Sequence, residues 1–385
     1  RSFSTGFFFT SNDFLIEVLM RRSTCWSCAV VLMLLVGTLA AGEIAGGQHS
    51  VVHKQAGDFA GWPANHGIWN WGNEIVVGFQ LGAHKKNPKG GHDIDREKPS
   101  VHRQARSLDG GETWNVEIPS YLDASGNEKD AVAQTEPVDF SHPDLALKFK
   151  GGNYYVSLDR AKIWKGPYSL PAFDRPKLLS RTDYLVEGPR QVTAFIAASK
   201  DNGKEGQPLC IRTTDGGVTW KLIGWIGPQP AQEYGYAIMP ATVRLNDNSY
   251  LSMIRRGGIR EGKKSWWVEA WLSPDLGRSW YMLDKPHLEN AGNPATLMRL
   301  ADGSLALAYG VRLAPYGIRA QISKDNGQSW TEETILRGDG SSWDIGYPRT
   351  IQRADGKCVT IYYYHNTDEP ERFIAATIWD PKEVQ

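Results

Sequence analysis

The residues of this chain best equipped for chemistry fall into three sets of charged and phenolic side chains. Arg255-Arg256 follows the apolar run Leu251-Ser-Met-Ile254, and Arg312 follows Leu305-Ala-Leu-Ala-Tyr-Gly-Val311. A guanidinium is a planar fork that grips a carboxylate through two parallel hydrogen bonds, a geometry lysine does not reproduce. Arginines ending the same strand of consecutive repeats therefore point to recognition of an acidic group. Tyr347 lies in Asp344-Ile-Gly-Tyr347-Pro-Arg349, where Arg349 shares its side-chain parity if the strand is regular. The third set, Gly91-His92-Asp93-Ile94-Asp95-Arg96, is a polar stretch rich in groups that exchange protons.

The elements that must position these groups are legible as repeats. Ser107-Leu-Asp109-Gly-Gly111-Glu-Thr113-Trp114 recurs as Thr213–Trp220, Ser273–Trp280 and Ser323–Trp330, always hydroxyl-x-Asp-x-Gly-x-hydroxyl-Trp. Such a phrase reads as a hairpin turn. The Asp carboxylate accepts backbone N–H bonds, Gly supplies the left-handed residue, and Trp anchors the turn to the sheet. A second repeat, around Pro143, Pro240, Pro294 and Pro348, reads as a short strand opened by Pro and closed by an Asx or Gly turn, with an apolar strand after it. Strand, turn, strand and Asp hairpin make one four-stranded unit. Units starting near His66, Pro143, Pro189, Pro240, Pro294 and Pro348 recur, after a longer first one, about every fifty residues, which predicts an all-β, six-bladed propeller. A seventh blade is the alternative if Ala161–Glu187 hides one. Blades two and six lack a good Asp hairpin, and Arg372–Trp379 reads as a late strand that helps close the ring.

The Asp phrase resembles the Asp box of the sialidase superfamily of BNR-repeat β-propellers, over about residues 60 to 380. The resemblance implies a tyrosine nucleophile assisted by a glutamate, an aspartate acid, and three arginines around a sugar carboxylate. A neutral phenol suits an anomeric carbon that bears a carboxylate, which repels an anionic nucleophile. Carried onto this chain, it implies Tyr347 as nucleophile, Asp95 as acid with Asp93 its near competitor, and Arg255 or Arg256 together with Arg312 as two clamp members. Two positions depart from the pattern. His66 stands where the first arginine is expected, leaving Arg103 or Arg349 to replace it, and Met239 stands where the glutamate is expected, with Glu233 upstream as a substitute. The departures mark a divergent branch.

The chain has 385 residues, 41% hydrophobic and 22% charged, with 40 glycines, which suits one large β domain. Lys plus Arg and Asp plus Glu are balanced at 43 each, so nothing favours a nucleic-acid partner. Met20-Arg21-Arg22, the apolar Ala29–Val36 and Thr38-Leu-Ala40 read as a secretory signal, too short for a membrane span. Residues 1–41 are accordingly expected to be upstream sequence plus signal, 42–385 the propeller, and the mature protein exported, without a stable membrane span. Cys25 and Cys28 would leave with the signal; Cys210 and Cys358, in different blades, are expected as free buried thiols. No cofactor or metal cluster is visible in the sequence.

Three functions fit these residues. The first is an exported exo-glycosidase, sialidase-like, that cleaves a terminal acidic sugar from a glycan with Tyr347 as nucleophile. The second is a polysaccharide lyase, in which Tyr347, His66 or His92 moves a proton beside a uronate carboxylate neutralised by arginine. The third is a non-catalytic glycan-binding or scaffold propeller.

Overall fold

Short apolar strands separated by Gly and Asx turns pair with their sequence neighbours into six antiparallel sheets, arranged as the blades of a β-propeller. The computed structural model describes Ile44 and residues 46–123 and 125–384; the expected export signal lies outside them. Beyond the strands, only the short 3-10 turns Pro63–Asn65 and Pro381–Glu383 are regular among the described residues.

Blade III runs through Tyr184–Gly188, Gln191–Ser199, Glu205–Thr213 and Lys221–Trp225, and blade V through Ala295–Arg299, Leu305–Val311, Gly317–Ser323 and Thr334–Arg337. Blade IV runs through Tyr236–Arg244, Tyr250–Arg260, Lys263–Ser273 and Tyr281–Leu288. Pro189 therefore follows the inner strand of its blade instead of opening it. Pro240 and Pro348 sit inside the inner strands Tyr236–Arg244 and Gly346–Gln352, where pairing skips Met239-Pro240 and Tyr347-Pro348. Proline has no N–H to give the ladder, so each forms a bulge.

Every Asp box joins the third strand of a blade to its outer strand. In blade I, with Glu74–Ala83, Val101–Ser107 and Asn115–Glu117 as its outer strands, Asp109 accepts from the Thr113 amide at 2.9 Å, and the Gly111 amide reaches Ser107 Oγ at 2.8 Å. Blade II, made of Ala146–Lys150, Asn153–Ser157 and Lys165–Ser169, carries the same turn in a disguise the sequence reading passed over. Ser157-Leu-Asp159-Arg160-Ala161-Lys162-Ile163-Trp164 makes the same bonds, Ile163 N to Asp159 at 2.9 Å and Ala161 N to Ser157 Oγ at 2.9 Å, with Ala161 at φ 61 where the others have glycine. The segment after it holds the last strand of blade II and the approach to blade III, so there is no seventh blade among the described residues. Blade II has three strands; Val132, from the long connection after blade I, bonds in parallel alongside Tyr168.

Blade VI pairs Gly346–Gln352, Cys358–Tyr364 and Phe373–Trp379, and its fourth strand is Gln48–His53 from the start of the chain. That closure explains the missing Asp box, because no hairpin links those two strands. Large side chains fill the wedges between blades: Phe59, Phe79, Tyr363 and Ile374 lie in one cluster, each contributing about 1.5–3 kcal/mol by leaving water. Cys210 and Cys358 are free and buried.

The strand order places the bulges of the inner strands and the Asp boxes toward opposite mouths of the channel. Inner strands begin, and second strands end, at one mouth; the Asp boxes lie at the other. In blade I the inner strand is broken into Asp58–Gly61 and Ile68–Trp71, and the turn between them carries Trp62 and His66.

Candidate functional site

Tyr347 is held in an unusual backbone conformation by the residues around it. It has φ 51, disfavoured for a bulky residue and more so before proline. The Tyr347 amide donates to Asn293 Oδ1 at 2.9 Å, while Asn293 Nδ2 donates to the Ile345 carbonyl at 2.7 Å. Gly346 makes room for this clamp: a Cβ there would lie 2.0 Å from Asn293 Nδ2. The bulge turns the ring, only 8% exposed, toward the arginines.

Arg255 Nη1 donates to Tyr347 Oη at 2.8 Å, and its guanidinium carbon lies 5.5 Å from the ring centre. Arg312 stacks over the same ring at 5.3 Å and over Trp343 at 5.2 Å, and donates to Tyr363 Oη at 2.8 Å. Neither arginine has a carboxylate within 4 Å among the described residues, and Arg255 Nε is buried without an acceptor. Burial works against the Arg255 charge, but Tyr347, Tyr236 and Glu205 more than offset it and raise its pKa.

A buried acid network backs this pair. Asp344, 1% exposed at its side chain, accepts from Tyr363 Oη at 2.7 Å and Arg372 Nε at 3.1 Å, and lies 2.5 Å from His92 Nδ1. Burial raises the cost of its charge, yet His92, Arg372 and Tyr363 together pull its pKa down to about 2. The other ring nitrogen of His92 has no hydrogen-bond partner among the described residues, and the ring lies against Trp62 and Trp343. Arg372 also pairs with Asp93 at 2.9 Å.

Several residues expected at the site lie elsewhere. Asp95 bonds Lys85 at 3.4 Å and the Glu97 amide at 3.2 Å, and Asp93 is the carboxylate that reaches the network. Adjacent residues of a strand face opposite sides, so Arg256 points away from Tyr347 and pairs with Glu269 at 3.4 Å. Because of the bulge, Arg349 does not share a partner with Tyr347; it donates to the Ala64 and Thr182 carbonyls at 2.7 and 2.6 Å and lines a cavity of about 320 Å³ with Asp183. His66 packs on His102 and Lys148, and Arg103 donates to the adjacent His102 carbonyl at 2.8 Å. Met239 does occupy the place beside the tyrosine, its Sδ 3.8 Å from Arg255 Nη1, and like Tyr347 it precedes a proline at positive φ. Glu233 stands on an exposed loop with no hydrogen bond to Tyr347.

The sequence reading missed Asp344, Tyr363, Arg372 and Asn293 as parts of one assembly. Asp344 stands in the same phrase as Tyr347, a signal that was available. Tyr363 looks like any aromatic of a packed strand. Among the described residues no cluster of His, Cys, Asp or Glu is arranged to hold a metal ion, and no helix is long and apolar enough to cross a membrane.

The model of the BNR repeat-like domain matches residues 148–361, more than half of the chain. The chain belongs to this family. A search of curated proteins finds no match to the BNR repeat-like chain. Solved structures share its fold. A Dyadobacter fermentans protein of unknown function aligns at 20% identity and TM-score 0.62, over 87% of this chain and 99% of that one. A Penicillium chrysogenum α-L-arabinanase complexed with arabinobiose aligns at 14% and 0.57, over 88% and 100%. A Trypanosoma rangeli sialidase in complex with sialic acid aligns at 13% and 0.56, over 88% and 60%.

Proposed function

We propose that this BNR repeat-like propeller is a glycoside hydrolase that removes a terminal carboxylated sugar from a glycan. The observation that carries the reading is the pair Arg255 and Arg312, gathered on one tyrosine with no carboxylate partner among the described residues. Arginine cannot shed its proton, so a buried pair without a counter-ion is completed by an anionic ligand. Folds shared with a sialidase and an arabinanase support a carbohydrate substrate.

In this reading Arg255 and Arg312 grip the sugar carboxylate and Tyr347 Oη attacks the anomeric carbon, its phenolic proton passing to solvent. His92, oriented by Asp344, gives a proton to the leaving oxygen. It then takes one from the water that cleaves the tyrosyl intermediate, while Tyr347 recovers its proton. Two displacements predict retained configuration. Export of the mature chain belongs to the same proposal, checked by N-terminal sequencing of the secreted product.

A second reading, elimination at a uronate, is favoured by Met239: among the described residues no carboxylate bonds Tyr347 to assist a nucleophile, whereas a tyrosine, a histidine and a neutralising arginine suffice for proton abstraction. Incubation with sialylated and uronate-containing glycans, with products read by mass and ultraviolet absorbance, separates the two. Release of a saturated acidic sugar that falls at least about a thousandfold in Tyr347→Phe supports hydrolysis. An unsaturated product establishes the lyase, and unchanged turnover in the variant removes Tyr347 from either mechanism.

A further inference from the structure

Blade IV is built taller than its neighbours on the side of the candidate site. Its second and third strands have 11 residues each, against seven in blade V. Their Asp-box ends match, since Tyr250 pairs with Ser273 as Leu305 pairs with Ser323. The extra four residues per strand therefore all extend the other end, by roughly 13 Å. This wall and the loop before blade IV enclose a pocket of about 400 Å³, lined by Lys204, Glu205, Glu233, Tyr234, Tyr236 and Trp266.

The pocket adjoins the arginine site through one shared ring. Tyr236 faces it on one side and stacks 5.4 Å from the Arg255 guanidinium on the other. Gly257 permits this, because a Cβ there would lie 2.4 Å from Tyr236 Cε1. The loop wall is fixed from beneath: Lys200, 1% exposed, donates to the carbonyls of Ala231, Gln232 and Gly235 at 2.8, 2.8 and 2.5 Å. That leaves Tyr234 and Trp266 held in place yet 54% and 44% exposed, at a cost in water contact that a ligand would relieve. Charges of both signs line this pocket, unlike the site of Arg255 and Arg312, which has no carboxylate within 4 Å among the described residues. Lys200 is turned toward carbonyls, Glu205 lies 3.6 Å from Arg181, Lys264 sits over the Tyr234 ring, and Glu233 and Lys204 complete the lining.

We propose that this pocket is a second sugar subsite, which takes the neutral sugar unit joined to the acidic one, its ring face on Trp266 and Tyr234 and its hydroxyls on Glu205 and Glu233. Naming this part of the substrate rests on the glycan-acting reading above. The size of the pocket, its two exposed aromatic faces and the carboxylates of Glu205 and Glu233, which accept from hydroxyls and repel an acidic sugar, select an uncharged ring, whereas the arginine pocket selects a carboxylate.

Binding is tested with lactose and arabinobiose as neutral probes and glucuronate as the acidic one, by saturation-transfer NMR and tryptophan fluorescence. Trp266→Ala and Tyr234→Ala remove exposed rings, so folding is checked by an unchanged melting temperature. The expected result is millimolar binding of a neutral probe, weakened about tenfold or more in either variant, and unaffected in Arg255→Met. No transfer to either neutral probe, equal binding by Trp266→Ala, or displacement of the neutral probe by glucuronate would overturn the subsite. Glucuronate binding unchanged in Arg255→Met would sink the acidic-pocket reading instead, while the Trp266 result still decides the subsite.

Discussion

Two regions near the channel gather buried cations without ion-pair partners, and they resolve the problem in opposite ways. At the first, Arg255 and Arg312 keep their charge and lean on the faces of Tyr347, Tyr236 and Trp343. At the second, between blades I and II, Lys148 is 2% exposed, bonded to the His66 carbonyl at 3.2 Å and stacked 5.5 Å from the Tyr121 ring. Burial and the nearby Lys150 push the Lys148 ammonium down to about 7, and burial together with Lys148 keeps His66 neutral at ordinary pH. A lysine relieves burial by giving up its proton; an arginine does not. A buried, unpaired cation thus points to a missing anion only where the group cannot neutralise itself.

Removing the acid that organises the arginine side has the largest expected effect. Asp344→Ala leaves Arg372 buried beside a single remaining carboxylate and should cost about 3–5 kcal/mol in urea unfolding. Since the native pKa of Asp344 is depressed, its contribution is complete above about pH 4 and is lost as pH falls toward 2, so wild type and variant should converge in acid. Arg255→Lys would make the first region chemically like the second. The lysine should shed its charge on burial, and kcat/KM should fall about a hundredfold or more, with residual activity declining further as pH rises. An Arg255→Lys enzyme of wild-type activity would break the comparison.

On the lysine side the native pKa of Lys148 lies below its unfolded value. The unfolded chain therefore binds more protons between the two, and stability should rise by about 3 kcal/mol from pH 7 to 10. Lys148→Met should flatten that slope, and a flat wild-type profile would show that the amine stays charged. The smallest effect tests a charge whose partners are nearly complete. In blade II, Ile163 replaces the hydroxyl that elsewhere donates to the Asp-box carboxylate, as Thr219 does at 2.5 Å and Ser279 at 2.6 Å. Ile163→Thr should restore this bond and stabilise by about 0.5 kcal/mol, read as a shift in the urea midpoint.

Tyr347, Arg255 and Arg312 could be singled out in the sequence because each stands at a fixed place relative to a strand of its repeat. Asp93 rather than Asp95 joining the network, and Arg349 parting from Tyr347, were not legible. Both depend on a local break in the strand, the loop after Ala83 in one case and the Tyr347-Pro348 bulge in the other, and a single slipped residue reverses which way a side chain faces. The Asp box of blade II was hidden for a different reason: its turn tolerates Ala161 and Ile163 because the carboxylate and the serine still make the bonds that close it.

The sequence by itself determined the blade number, the Asp-box turns and the absence of a box in the last blade, because these follow from local hydrogen bonding and strand alternation within about fifty residues. Only the tertiary structure decided which charges meet. Arg255, Arg312, Tyr347, Asp344 and His92 come from blades I, IV, V and VI and from the connection before the last blade. Their encounter depends on ring closure by Gln48–His53 and on bulges that no short window of sequence encodes.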